Sequence, residues 1–137
     1  MCLSVFVGSN FPLPLVPWNE QAPGFHLNEA TDKPCVSVKK ILKTPYLYEA
    51  GSHMGCACGF AYGDWSRHSK TEQHAQRVKD VRDFAAYLND HKRDNALVLF
   101  CTWWERFPDG YESLEFDAQA IDDEEFDFEE DMILMVK

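Results

Sequence analysis

The clearest helical periodicity in this 137-residue chain begins near Ser69, and its place between two apolar runs constrains the fold more than any other feature. Ser69 with Glu72 three residues on matches a capping box, in which hydroxyl and carboxylate satisfy the first free N–H groups of a helix. His74, Val78, Val81, Phe84, Ala85 and Leu88 follow at helical spacing, with Lys79, Asp80, Arg82 and Asp83 at the polar positions. The helix is expected to end between Asn89 and Arg93. Before it lies Tyr46-Leu-Tyr-Glu-Ala, bounded by Pro45 and Gly51, with the aromatics of a strand. After the turn residues Asp94-Asn95 comes the continuous apolar run Ala96 to Thr102, the pattern of a strand buried on both faces. Strand, helix and strand at this spacing predict a crossover, and a crossover favours a parallel pair.

The remaining segments fit around that unit. Residues 3 to 8 form a short apolar run expected to be a first strand, and Met132 to Val136 a last one. Pro12, Pro14 and Pro17 forbid helix over Phe11 to Trp18, and Pro23-Gly24 follows, so residues 9 to 34 are expected to be a long extended connection whose apolar side chains pack onto the body. Val36 to Leu42 mixes strand and helix signals and stays open. Asp109-Gly110 marks a turn, and Asp122 to Asp131 is too acidic to fold alone, with Phe116, Phe126 and Phe128 available to pin it. The expected class is α/β or α+β: a single domain over residues 1–137, a mixed sheet with one principal helix packed on it, and an acidic region at 109–131 packed on or bordering it.

Charge and cysteine usage narrow the function classes. The net charge of −10 is uneven: residues 1–108 carry 11 acids and 12 bases, residues 109–137 carry 12 acids and only Lys137. Such an end repels phosphates and anionic lipid, and Lys33, Lys39, Lys40 and Lys43 make too small a patch to counter it, so neither nucleic acid nor membrane is an expected partner. No apolar run approaches the roughly 18 residues of a membrane span. Residues 1–7 lack a basic segment ahead of their apolar run and are expected to be a strand, not a signal peptide, which places the chain in the cytoplasm. The five cysteines are odd in number and irregularly spaced, arguing for free thiols. Cys35 and Cys101 lie in strand-like apolar runs, where a free cysteine acts as a small buried hydrophobe.

One segment concentrates chemistry. Residues 50–60, Ala-Gly-Ser-His-Met-Gly-Cys-Ala-Cys-Gly-Phe, put one imidazole and two thiols within six positions, spaced by glycines that let the backbone curl. Three readings are open. His53, Cys56 and Cys58 can supply an N/S/S set for zinc, with His68 or His74 as a fourth ligand, although the single residue between the cysteines departs from the two that zinc knuckles favour. Alternatively Cys56 or Cys58 is a reactive thiolate, activated by His53 or by backbone N–H groups, with the other cysteine to resolve it. The third reading is structural: small residues where two backbones pass closely, with His53 hydrogen-bonded inside the turn.

Taken in order, Pro12-Leu-Pro-Leu-Val-Pro-Trp, Tyr46-Leu-Tyr-Glu-Ala-Gly-Ser-His and Gly55-Cys-Ala-Cys-Gly-Phe resemble a family of small uncharacterised bacterial proteins with a Gly-Ser-His-x-Gly-Cys-x-Cys-Gly-Phe signature. The resemblance makes Gly51, Ser52, His53, Gly55, Cys56, Cys58, Gly59 and Phe60 the family-type positions; Ala57 departs from the Gly more usual there. It implies a stand-alone bacterial domain and brings no activity with it.

Weaker signals remain. Cys2 can become an N-terminal nucleophile if Met1 is removed, yet Cys2-Leu-Ser-Val-Phe is more simply the first strand. His74 sits on the apolar stripe of the helix, as a boundary histidine would. His26 and His91 have no chemical neighbours and are expected at the surface. Adjacent strand residues point to opposite faces, so one of Trp103 and Trp104 is expected to be exposed or covered by the acidic region. The leading functional expectation is a small cytosolic protein with a metal- or thiol-based site at His53, Cys56 and Cys58. The alternative is a protein-interaction module working through Trp103, Trp104 and the acidic C-terminal region, with the turn purely structural.

Overall fold

The computed structural model describes residues 3–31, 33–60, 72–93, 96–103, 112–122, 128 and 132–137, giving the backbone alone for 33–36, 72–74, 103 and 132. The chain is a mixed α/β structure. Its strands are β1 (Leu3–Ser9), β2 (His26–Glu29), β3 (Tyr46–Gly51), β4 (Leu97–Trp103), β5 (Glu112–Phe116) and β6 (Met132–Val136). Its helices are α1 (Lys33–Leu42) and the principal helix α2 (Glu72–His91), with 3-10 turns at Ala57–Phe60 and Ala118–Asp122. The strands form one sheet in the order β2-β3-β1-β4-β6-β5.

β1 is the centre of this sheet. It pairs antiparallel with β3 on one side, Val5 opposite Ala50, and with β4 on the other, Val5 opposite Cys101. Its side chains alternate between two cores, as strand geometry requires. Leu3, Val5 and Val7 join Leu99, Cys101 and the α2 residues Val81, Phe84, Ala85 and Leu88 in the larger one. Phe6 joins Phe100, Leu47 and the α1 residues Val38 and Leu42 in the smaller one. The sheet is thus covered on both faces, which explains the continuous apolar runs of β1 and β4.

The expected crossover is present, with one correction. β3 and β4 run in the same direction, but both are antiparallel to β1, which lies between them. A helix of about 30 Å is long enough to carry the chain past an intervening strand. Among the described residues the one parallel pairing is β5 with β6, Leu114 opposite Leu134. Between these two strands, Ala118, Ile121 and Phe128 are buried in the larger core, as is Phe116, so the acidic region is pinned by its apolar residues. Phe126 lies outside the described residues.

Two further expectations are corrected. Residues 9–34 are not one connection, because β2 and the start of α1 lie within them. β2 forms because the proline segment turns back on it: Val16 and Leu27 exchange both backbone hydrogen bonds, at 3.0 and 2.9 Å. Leu13 N–H donates to the Tyr48 hydroxyl (2.8 Å) and the Tyr87 hydroxyl donates to the Pro14 carbonyl (2.6 Å), docking that segment onto β3 and α2. Cys35 is in α1 and not in a strand. Val38, buried in the smaller core, makes tertiary packing the decider of that ambiguous segment, as it commonly is. Cys101 is a fully buried hydrophobe, as its run suggests.

Candidate functional site

β3 ends at Gly51, and the next five residues close a turn around one side chain. Ser52 N–H donates to the Cys56 carbonyl (2.9 Å) and Gly55 N–H to the Ser52 carbonyl (3.0 Å). The Ser52 hydroxyl, fully buried, donates to the Cys56 carbonyl (2.6 Å) and accepts from Met54 N–H (3.2 Å) and Gly59 N–H (3.1 Å). A hydroxyl offers one proton and two lone pairs, so all three are used. Gly55 has φ +83°, a conformation side chains resist. Gly59 is required for space: a Cβ there would stand 2.2 Å from Ser52 Oγ and 3.0 Å from His53 Cε1. Small residues therefore do serve close packing in this turn, as the structural reading expects.

The turn is gripped from outside by α2. Arg77, buried, donates through Nε to the Gly59 carbonyl (3.1 Å). Asp80, at 0% exposure, accepts from His53 N–H at 2.8 Å and pairs through the same oxygen with His53 Nδ1 at 2.5 Å. Its other oxygen accepts from Gln76 Nε2 (3.1 Å), which also reaches the Pro23 carbonyl (3.3 Å). The helical periodicity predicts Asp80 as polar and outward; it is instead on the buried face, one turn from Arg77 and Phe84. The charge is accommodated because among the described residues three N–H groups, from His53 N, His53 Nδ1 and Gln76 Nε2, donate to it, the condition for burying a carboxylate.

A carboxylate only accepts, so Nδ1 of His53 carries the proton and Nε2 is left as the basic nitrogen. The imidazole is 17% exposed, against none for its partner. This is the orienting arrangement used wherever a histidine must take a proton from a nucleophile.

The two thiols have different surroundings. Cys58 packs against the larger core, and its sulfur accepts the Leu3 backbone N–H at 3.3 Å. Cys56 lines a cavity of about 150 Å³ with His26, Asn28, Glu49, Gly51 and Gly55. Among the described residues neither is in a disulfide, and both are partly buried.

His26 is a correction to the sequence reading: it is buried, 7% exposed, with Nδ1 3.1 Å from the Gly24 carbonyl and the Trp18 ring edge-on at 4.9 Å. Its place is made by Gly51, where a Cβ would lie 2.1 Å from His26 Nε2. His91 is half-buried against the Tyr87 ring, their centroids 4.5 Å apart.

The structure thus brings His53 to Asp80, which the sequence gives no means of pairing across 27 residues, and sets Cys56 and Cys58 in separate environments. Among the described residues no three His, Cys, Asp or Glu side chains converge as a metal-binding group. A zinc site would need a donor such as His68, which lies outside the described residues, as do Cys2 and Trp104. The side chains of His74 and Trp103 also lie outside them. No described helix is long and apolar enough to cross a membrane.

No family model, curated protein or solved structure matches the chain.

Proposed function

We propose that the turn is a thiol-based reactive site in which His53, held by Asp80, takes the proton of a turn cysteine and leaves a thiolate that attacks a small electrophile. The observation that carries this reading is the His53–Asp80 pair, a mostly buried imidazole, 17% exposed, oriented by a carboxylate with no exposure of its own. A clasp serving only to hold the turn needs the His53 backbone N–H and no more. Spending a buried charge on the ring nitrogen as well fixes a tautomer and aims a base, which is what activation of a thiol requires. A cytoplasmic setting, where thiols stay reduced, suits such a site.

The test is alkylation of the native protein by iodoacetamide, mapped residue by residue, on untagged protein purified without chelator and assayed for metal. We expect no stoichiometric metal, and Cys56 or Cys58 modified at pH 7 roughly tenfold or more faster than an unperturbed thiol, the gain a deprotonated cysteine brings. Stoichiometric zinc with both thiols protected would replace this reading with a metal centre. No metal and no reactive thiol would leave the turn structural and favour the interaction module.

A further inference from the structure

The cavity where β2 begins and β3 ends is not used by the His53–Asp80 pair, and one buried nitrogen on its wall says what it would hold. His26 is more than nine-tenths buried, and its ring is fixed from two sides, by the Gly24 carbonyl at Nδ1 and by the edge-on Trp18 ring. A carbonyl only accepts, so Nδ1 carries the proton and Nε2 of the neutral ring is an acceptor. Among the described residues no group donates to Nε2. Buried acceptors in folded proteins are almost always met, by the protein or by something bound to it.

The wall is cut back around this nitrogen. The Nε2–Cε1 end of the ring lies over Gly51, in the space a side chain there would occupy. Gly55, also on the wall, has nothing within 4 Å of where a Cβ would stand. Two glycines thus present bare backbone to a space of about 150 Å³, a volume that holds a six-carbon ring. The charge of the occupant follows from the same wall. An anion would set its own lone pairs against that of Nε2. A cation would call for a free carboxylate, whereas Glu49, the carboxylate on the described wall, already has an interaction partner. A neutral O–H donor satisfies the nitrogen with no charge to bury.

We propose that this cavity is a binding site for a small neutral ring compound bearing a hydroxyl, with the hydroxyl donating to His26 Nε2 and the ring lying against Gly51 and Gly55. The site asks nothing of His53 or of a thiolate, so it stands or falls apart from the thiol reading.

Phenol and toluene, matched in size, test it. Apolar burial alone favours toluene, because a hydroxyl taken from water without a partner is penalised; an acceptor at Nε2 reverses that order. The reduced full chain, labelled with 15N, is titrated with each compound at pH 8 and followed by NMR at the backbone amides and the His26 ring nitrogens. We expect saturable shifts centred on His26, Gly51 and Gly55, and movement of the Nε2 resonance with phenol only. Phenol should bind about fivefold tighter than toluene, the scale of one neutral hydrogen bond. His26→Phe, which keeps a ring and removes the acceptor, should restore the preference for toluene; if that variant fails to fold, the Nε2 resonance reads the same contact in the unaltered protein. Toluene binding as tightly as phenol, phenol binding without movement of Nε2, or no saturable shift with either compound would each overturn the proposal, the last leaving a cavity that holds water alone.

Discussion

Single atoms decide the geometry of the turn, and two glycines separate the ways in which they do so. At Gly59 the obstacle is steric: Ser52 Oγ is held by three hydrogen bonds and cannot retreat from a new Cβ 2.2 Å away. At Gly55 nothing lies within 4 Å of a Cβ, and the obstacle is the positive φ alone. Gly59→Ala is therefore expected to cost about 1–3 kcal/mol through overpacking, and Gly55→Ala only about 1 kcal/mol through backbone strain. Urea denaturation of the two variants checks the order, and a Gly59→Ala protein as stable as the parent would show that Ser52 is not the rigid hub described. The residues of the turn were legible in the sequence as a concentration of donors. Their surroundings were not, because His53 is paired with Asp80 and Cys56 lines a cavity with His26, and neither neighbour is near it in the chain. Asp80 carries no local sign of burial, lying between Lys79 and Arg82 in a helix whose charges alternate with its core positions.

At the scale of elements, long segments with one consistent pattern were readable and short or mixed ones were not. α2, β1, β3, β4 and β6 stand where periodicity puts them, while Ser69, the expected start of α2, and the turn residues Asp94-Asn95 lie outside the described residues. β2 was hidden because four residues, His26–Glu29, are too few for an alternation to show, and it is held by long-range pairing with β3 and a bridge to Val16. α1 was ambiguous because Val36, Val38 and Ile41 are β-branched, residues that favour strand locally. β5 exposes four of its five residues, so no buried face marks it in the sequence. The sheet order adds a prediction of its own. β1 is hydrogen-bonded on both sides and buried on both faces, whereas β2 and β5 are edges. Amide hydrogen exchange should be slowest at Val5 to Val7 and fast in β5, since protection follows burial and cooperative pairing. Protection in β5 equal to that of β1 would mean that its edge is covered in solution.

The whole molecule should weaken in alkali. Burial pushes the Cys101 thiol well above its usual 9.0, and burial, with a smaller contribution from Tyr48, pushes the Tyr87 hydroxyl from 10.0 up to about 12. Both groups stay protonated in the fold at pH values where the unfolded chain has already released the proton. The unfolded state then binds fewer protons, so stability falls as pH rises. The contribution is complete below pH 9 and is lost progressively from there toward pH 12. Urea midpoints measured from pH 7 to 11 should hold level and then decline above 9, and Cys101→Ala should flatten the first part of that decline; a midpoint level to pH 11 would contradict the burial assigned to both groups. The central claim, that the buried carboxylate arms the turn through His53, is tested most directly by one substitution. Asp80→Asn keeps the shape but removes the charge that fixes the His53 tautomer. Native iodoacetamide alkylation of Cys56 and Cys58 at pH 7 should slow by roughly tenfold or more, a loss of about 1.4 kcal/mol or more in activation, in a protein whose circular dichroism is unchanged. An unchanged rate in a folded Asp80→Asn protein would show that Asp80 holds the turn and nothing else.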